Sequence, residues 1–136
     1  MGSRRKSREA ALKILYAMDV TGQTAEQALA AYFDHFAEEG EAVEFTGELV
    51  RGVGGLVEAL DEKIRQASQN WRLERMARVD RNVLRLATYE LLHVPSVPRR
   101  VSLNEAIELG KRYGAEDSAA FVNGSLDRIA SAVTKD

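Results

Sequence analysis

Apolar residues recur at spacings of three and four along almost the whole chain, and this periodicity restricts the fold more than any other feature. Such spacings place side chains on one face of an α-helix, whereas a strand requires alternation of apolar and polar residues. Only two prolines occur, Pro95 and Pro98, and β-branched residues never alternate over a useful length. The sequence therefore predicts an all-α protein of six to seven helices in two packed helical subdomains.

Local signals predict the helix ends in the first half of the chain. A first helix over about residues 5–20 should end at Thr21-Gly22, because glycine commonly follows a helix C-terminus. Residues 24–27, Thr-Ala-Glu-Gln, are typical of a capping box that opens a second helix. A third helix is predicted over about residues 43–67. It contains four glycines, which we attribute to close approach of another helix, with a kink as the second choice.

The second half contains the remaining predicted helices. Residues 71–76 predict a turn or brief helix, and residues 79–92 predict a strong helix. Both prolines lie in residues 93–100, which should form a loop. Ser102 to Glu105 is typical of a second capping box, and Asp117 should cap the last helix. We treat residues 1–136 as a single domain, with halves of about 1–70 and 71–136 that meet near Asn70.

Composition excludes several classes of protein. The 136 residues contain no cysteine, which excludes disulfides and thiolate metal sites and suits a cytoplasmic protein. No apolar run approaches the ~20 residues that a membrane span requires. His35 and His93 belong to no metal-ligand motif, and no carboxylate pair stands out as an acid–base dyad. We therefore expect no enzymatic activity, no metal and no cofactor.

Positive charge is concentrated at the N-terminus of an otherwise acidic chain. Without Arg4, Arg5, Lys6 and Arg8, 15 of the 19 basic residues remain against 21 acidic residues. The start of a helix already carries partial positive charge, so clustered cations there are unfavourable. A nucleic-acid backbone would supply the missing negative charge. The alternative is a polar chain end that is simply solvated.

A second candidate site lies between the last two predicted helices. A DNA-reading helix-turn-helix is disfavoured there, because residues 118–127 contain no lysine or arginine. Tyr113 and Phe121 flank Asp117, and such groups can stack on unpaired bases and accept from base amino groups. The alternative is burial of both rings in the core.

Five arginines between residues 72 and 85 are interpreted first as a solvated face with local ion pairs to Glu74 and Asp80.

Three segments of the chain resemble one known family. They are SRRKSREAALKILYAMD, WRLERMARVDRNVLRLATYELL and VSLNEAIELGKRYGAEDSAAFVNGSLDRIA. In their order and separation they look like the signature segments of the NusB family of bacterial transcription antitermination factors. The resemblance covers nearly the whole chain, although residues 24–67 match only in helical character and length.

The resemblance implies a function and a set of contacts. Members of the family bind the single-stranded boxA element of ribosomal RNA transcripts together with NusE, a small-subunit ribosomal protein. They join the RNA polymerase elongation complex with other Nus factors. Carried over by motif position, the implied RNA contacts are Arg4, Arg5, Lys6, Arg8, Tyr113, Asp117 and Phe121. The implied NusE contacts are Tyr16, Glu74 and Asp80.

One position departs from the family pattern, and three rival functions remain open. Lys6 stands where many members carry arginine, which keeps the charge but gives up the forked guanidinium. The rivals are a helical scaffold or homodimer without RNA binding, a membrane-surface protein that uses its basic first helix, and the related RNA-binding domain of ribosomal RNA cytosine methyltransferases. Because the sequence ends at Asp136, we expect no methyl-donor domain.

Overall fold

A computed structural model describes residues 2–36, 41–68 and 72–133 of the chain. Asn70, near which the two halves were predicted to meet, lies outside this part, as does Trp71. The described residues form seven α-helices and one short 3₁₀ helix, and they include no strand. The elements are α1 (Gly2–Thr21), α2 (Ala25–His35), α3 (Glu41–Gly55), α4 (Val57–Ala67), the 3₁₀ helix (Leu73–Arg75), α5 (Arg78–His93), α6 (Arg99–Tyr113) and α7 (Ser118–Ser131).

The chain divides into two compact units. The first contains residues 1–55, and the second contains residues 56–136. This boundary comes earlier in the chain than the one predicted near Asn70. The all-helical prediction is confirmed, and so is the predicted number of helices for the described residues.

In the first unit, α1 packs against both α2 and α3. Helix α1 ends at Thr21, and Gly22 follows with φ of 76°, a left-handed conformation that glycine adopts without steric cost. The predicted capping box opens α2. Thr24 Oγ1 accepts from the Gln27 amide at 3.2 Å, and Gln27 Oε1 accepts from the Thr24 amide at 3.0 Å.

Helix α3 runs in the same direction as α1. Near its start, Thr46 Oγ1 donates to the Ser7 carbonyl at 3.4 Å. Near its end, a Cβ on Gly54 would lie 3.5 Å from both Met18 Cε and Ala25 Cβ. A side chain as large as that of alanine would thus fit at Gly54 at ordinary van der Waals distance, and a Cβ on Gly55 would meet nothing within 4 Å, so close approach of another helix does not explain these two glycines.

The continuous helix predicted over residues 43–67 is wrong. Helix α3 ends at Gly55, Leu56 adopts φ of −123° and ψ of 17°, and α4 begins at Val57. Each glycine in a helix interior costs about 1 kcal/mol relative to alanine, so the consecutive Gly54 and Gly55 weaken the helix at this point. The helix is thus interrupted at Leu56, and weakening by the two consecutive glycines accounts for this better than close approach of another helix does.

In the second unit, α5 packs against α4, α6 and α7. An ion pair joins α5 to α4, because Arg85 Nε and Nη2 donate to the two Asp61 carboxylate oxygens at 2.7 and 2.9 Å. The two side chains are only 13% and 11% exposed. Arg85 Nη1 also donates to Asn82 Oδ1 at 3.2 Å, so the buried guanidinium is held from both helices.

The capping box predicted at Ser102 is also wrong. Helix α6 begins earlier, at Arg99, with Pro98 preceding it as the cap residue. Pro98 has φ of −60° and ψ of 148°, the extended conformation of a cap residue. Ser102 therefore lies inside the helix, where its hydroxyl donates to Glu90 Oε1 at 3.1 Å. Both residues are buried, so the serine supplies a hydrogen bond that the buried carboxylate requires.

Candidate nucleic-acid interface

The first turn of α1 presents three exposed cations. Arg4, Arg5 and Lys6, which we call the cationic turn, are all exposed, and the first turn of α1 contains no acidic residue. Cationic side chains therefore add to the partial positive charge of the helix start. This arrangement favours an anion from another molecule at this end of the helix.

Arg8 differs from the other three predicted RNA contacts because it is only 4% exposed. Its helical position accounts for this: Arg8 shares a face of α1 with the buried residues Ala11, Leu12 and Leu15. The Arg8 side chain thus packs inside the first unit and does not extend into solvent as the cationic turn does.

Arg4 and Arg8 both contact the aromatic ring of Phe45. Arg4 Cζ lies 4.3 Å from the centroid of the Phe45 ring, and Arg8 Cζ lies 5.5 Å from it. Both distances fall within the ~6 Å range of a cation–π interaction. Phe45 is not among the site residues predicted from the sequence. No sequence signal identified this contact, because the residues are far apart in the chain.

In the second unit, Tyr113, Asp117 and Phe121 lie on one tight turn between α6 and α7. Tyr113 is the last residue of α6, Asp117 precedes α7, and Phe121 lies in the first turns of α7. Asp117 is exposed and both aromatic residues are half-buried. Neither ring is sealed in the core, so the 113–121 turn retains partly accessible aromatic surface.

Small side chains hold this turn in shape. A Cβ on Gly114 would lie 2.4 Å from Ser118 Oγ, so no larger residue fits there without a shift of that serine. Ser118 is buried, and its Oγ accepts from the Ala115 amide at 2.8 Å. Asp117 occupies the predicted cap position, but its side chain makes no capping hydrogen bond. The prediction of a side-chain cap is therefore wrong.

The three residues predicted to contact a protein partner have different surroundings. Tyr16 is 41% exposed on α1. Glu74 is exposed on the 3₁₀ helix and pairs with Arg65 Nη2 at 3.7 Å. Asp80 is half-buried in the first turn of α5, and its Oδ1 atom has no hydrogen-bond partner among the described residues. Glu74 therefore forms the more accessible anionic surface of the two carboxylates.

The arginines between residues 72 and 85 do not line one helix face. The 3₁₀ helix ends at Arg75 and α5 begins at Arg78, so the stretch is interrupted. Arg81 Nη1 donates to the Leu73 carbonyl at 3.4 Å, and Arg85 pairs with Asp61. The predicted solvated face with local ion pairs to Glu74 and Asp80 is therefore wrong for these two arginines, since Arg81 bonds to a backbone carbonyl and Arg85 forms a mostly buried pair with another helix.

The described residues contain neither a candidate membrane span nor a candidate metal site. No helix among them is long and apolar enough to cross a membrane. They also contain no group of three or more histidine, aspartate and glutamate side chains placed to hold a metal ion.

Comparisons with known proteins identify the family. The model of the NusB family matches residues 5–131. A transcription antitermination protein NusB from Sorangium cellulosum is 54% identical over 130 residues, which is 96% of this chain and 93% of that protein. A solved structure of T. maritima NusB superposes with a TM-score of 0.88 at 42% identity and covers 94% of this chain and 90% of the other.

A third match is a crystal structure of the antitermination factors NusB and NusE in complex with double-stranded RNA. It superposes with a TM-score of 0.89 at 27% identity and covers 97% of this chain and 98% of that chain. The family model, the sequence identity and the shared fold all extend over nearly the full length, and they show that this chain belongs to the NusB family.

Proposed function

We propose that this protein is a transcription antitermination factor that binds the single-stranded boxA element of ribosomal RNA transcripts together with NusE. In this role it promotes processive elongation by RNA polymerase with the other Nus factors. The observation that carries the proposal is the cationic turn, three exposed cations on a helix start without an acidic residue, in a chain of the NusB family. The related NusB–NusE–RNA structure supports both partners.

The two candidate RNA surfaces have different roles in this proposal. Arg4, Arg5 and Lys6 contact phosphates, which fixes the strand without reading its sequence. The half-buried rings of Tyr113 and Phe121 stack on unpaired bases, and exposed Asp117 accepts from base amino groups. Because a half-buried ring is already fixed by its neighbours, stacking on it requires little further ordering.

NusE contacts Tyr16, Glu74 and Asp80 in this proposal. Tyr16 offers an exposed ring with a polar end, a side chain that is common at interfaces. Glu74 exchanges its long 3.7 Å contact with Arg65 for a cation of the partner. The protein acts in the cytoplasm as a binding adaptor and not as an enzyme, and it requires no cofactor.

Fluorescence anisotropy with labelled RNA tests the proposal. The protein is titrated into a single-stranded boxA oligonucleotide and into a shuffled oligonucleotide of the same composition, each with and without NusE. We expect tighter binding to boxA than to the shuffled strand, and a further gain with NusE. Equal affinity for the two strands under both conditions would contradict the proposal, because phosphate contacts alone do not distinguish sequences.

A further inference from the structure

We propose that Phe45 is a positioning residue for RNA binding, which holds the Arg4 and Arg8 guanidinium groups so that the cationic turn is ordered before RNA arrives. This inference rests on the proposed function and adds a residue of α3 to the RNA site. The observation behind it is one buried ring, 5% exposed, with two arginine guanidinium groups at 4.3 and 5.5 Å from its centroid.

The ring offsets an unfavourable arrangement on α1. Arg4 and Arg8 are four residues apart on one helix, a spacing at which like charges repel each other. The negative face of an aromatic ring attracts both cations without neutralising them as a carboxylate would. Arg4 remains exposed while in contact with the ring, so its charge is still available to a phosphate.

The next residue of α3 fixes the backbone of the same segment. Thr46 Oγ1 donates to the carbonyl of Ser7, and both residues are fully or almost fully buried. Consecutive residues of α3 thus hold α1 in two ways. Thr46 binds the backbone carbonyl of Ser7, and Phe45 contacts the guanidinium groups of Arg4 and Arg8. A free arginine side chain loses much rotamer freedom on binding, and prior ordering reduces that loss.

The test compares two substitutions at Phe45 by anisotropy titration with boxA RNA and NusE. Phe45→Leu removes the aromatic face, and Phe45→Tyr retains it. Because cation–π contacts of this kind are modest, we expect Phe45→Leu to weaken RNA binding about 3- to 10-fold and Phe45→Tyr to restore most of the affinity. Affinity for NusE alone should stay unchanged in both variants, which verifies that α1 remains folded.

A matched control and a double-mutant cycle separate positioning from general destabilisation. Val53→Ala removes a buried side chain at the other end of α3 and should leave RNA affinity unchanged. In an Arg4→Ala background, Phe45→Leu should weaken RNA binding less than it does in the wild-type protein, because one of the two guanidinium groups that the ring positions is already absent. Phe45→Met serves in place of Phe45→Leu if the leucine variant does not fold.

Three results would overturn the inference. The first is wild-type RNA affinity in Phe45→Leu while Arg4→Ala weakens binding. The second is equal weakening by Phe45→Leu and Phe45→Tyr with no coupling to Arg4→Ala. The third is unchanged RNA affinity in Arg4→Ala, which refutes the proposed RNA role of the cationic turn and the role of Phe45 with it.

Discussion

Replacing Arg5 by alanine should change the salt dependence of RNA binding more clearly than it changes the stability of the protein. Arg5 is an exposed residue on the first turn of α1. Each contact between a cation and a single-stranded phosphate contributes about 0.7 to the slope of log affinity against log salt concentration. Arg5→Ala should therefore lower the magnitude of that slope by about 0.7.

The number of exposed cations sets an upper limit on the contribution of the cationic turn to the salt dependence of RNA binding. With three exposed cations, the cationic turn contributes at most about 2.1 to the slope, or about a 20-fold loss of affinity between roughly 50 and 200 mM salt. One contact accounts for about 2.6-fold over the same range. Arg8 does not enter this sum, because it is only 4% exposed.

Arg8→Ala should therefore behave differently from Arg5→Ala. Loss of a buried side chain beside Phe45 should lower the melting temperature of the protein, whereas the salt slope should stay near the wild-type value. Lys13→Ala is the matched control, since Lys13 is an exposed cation on the same helix outside the cationic turn. It should change neither quantity.

The assay is anisotropy titration of boxA RNA at four or more salt concentrations, with thermal unfolding followed by circular dichroism. An Arg5→Ala slope equal to that of the wild-type protein would refute phosphate contact by this residue. A slope reduced equally by Arg5→Ala and Lys13→Ala would show that net charge matters and that the position of the charge on α1 does not.

Further predictions concern the second unit and an ion pair between Glu26 of α2 and Arg51 of α3. Phe121→Ala should weaken boxA binding by roughly 5- to 150-fold at an unchanged salt slope, since base stacking on a ring contributes about 1–3 kcal/mol; a change in slope alone would argue against stacking. Asp61→Ala removes the carboxylate partner of the mostly buried Arg85 and should lower the free energy of unfolding by about 2–4 kcal/mol in urea, whereas a loss below about 0.5 kcal/mol would contradict the burial argument. The Arg51 hydrogen bond lowers the pKa of exposed Glu26 below 4.5, so this pair stabilises the fold above that pH and loses its effect as pH falls through the lowered pKa. The difference in melting temperature between wild-type protein and Glu26→Gln should accordingly be small at pH 7 and shrink as the pH falls through the lowered pKa of Glu26, and a difference that grows in acid would be inconsistent with the pair.

Helix positions were largely predictable because their signals are local. The α2 capping box and the end of α1 at Gly22 depend on residues within a few positions of each other, and the sequence contains them directly. The break at Leu56 was harder to predict, because Gly54 and Gly55 weaken the helix without specifying the residue at which it ends. The periodicity of the apolar residues continues across the break, so it gives no sign of where the helix ends.

The errors arose where long-range contacts determine local structure. Ser102 matched a capping pattern, but Pro98 starts the helix earlier and the serine hydroxyl bonds to Glu90. Arg8 looked equivalent to Arg5 in the basic segment, whereas Arg5 is exposed and Arg8 is buried; an RNA contact by Arg8 stays a prediction. The contact of Arg8 with Phe45 depends on how α1 packs against α3, which residue spacing within one segment does not specify.

Ultraviolet cross-linking of boxA RNA to the protein, with NusE present and with mass-spectrometric identification of the linked peptides, tests the central claim most directly. The account predicts cross-links to peptides that contain Arg4, Arg5 and Lys6 and to peptides from the 113–121 turn, with none in α2. Cross-links confined to α2 and α4, with both predicted segments unlabelled, would contradict it.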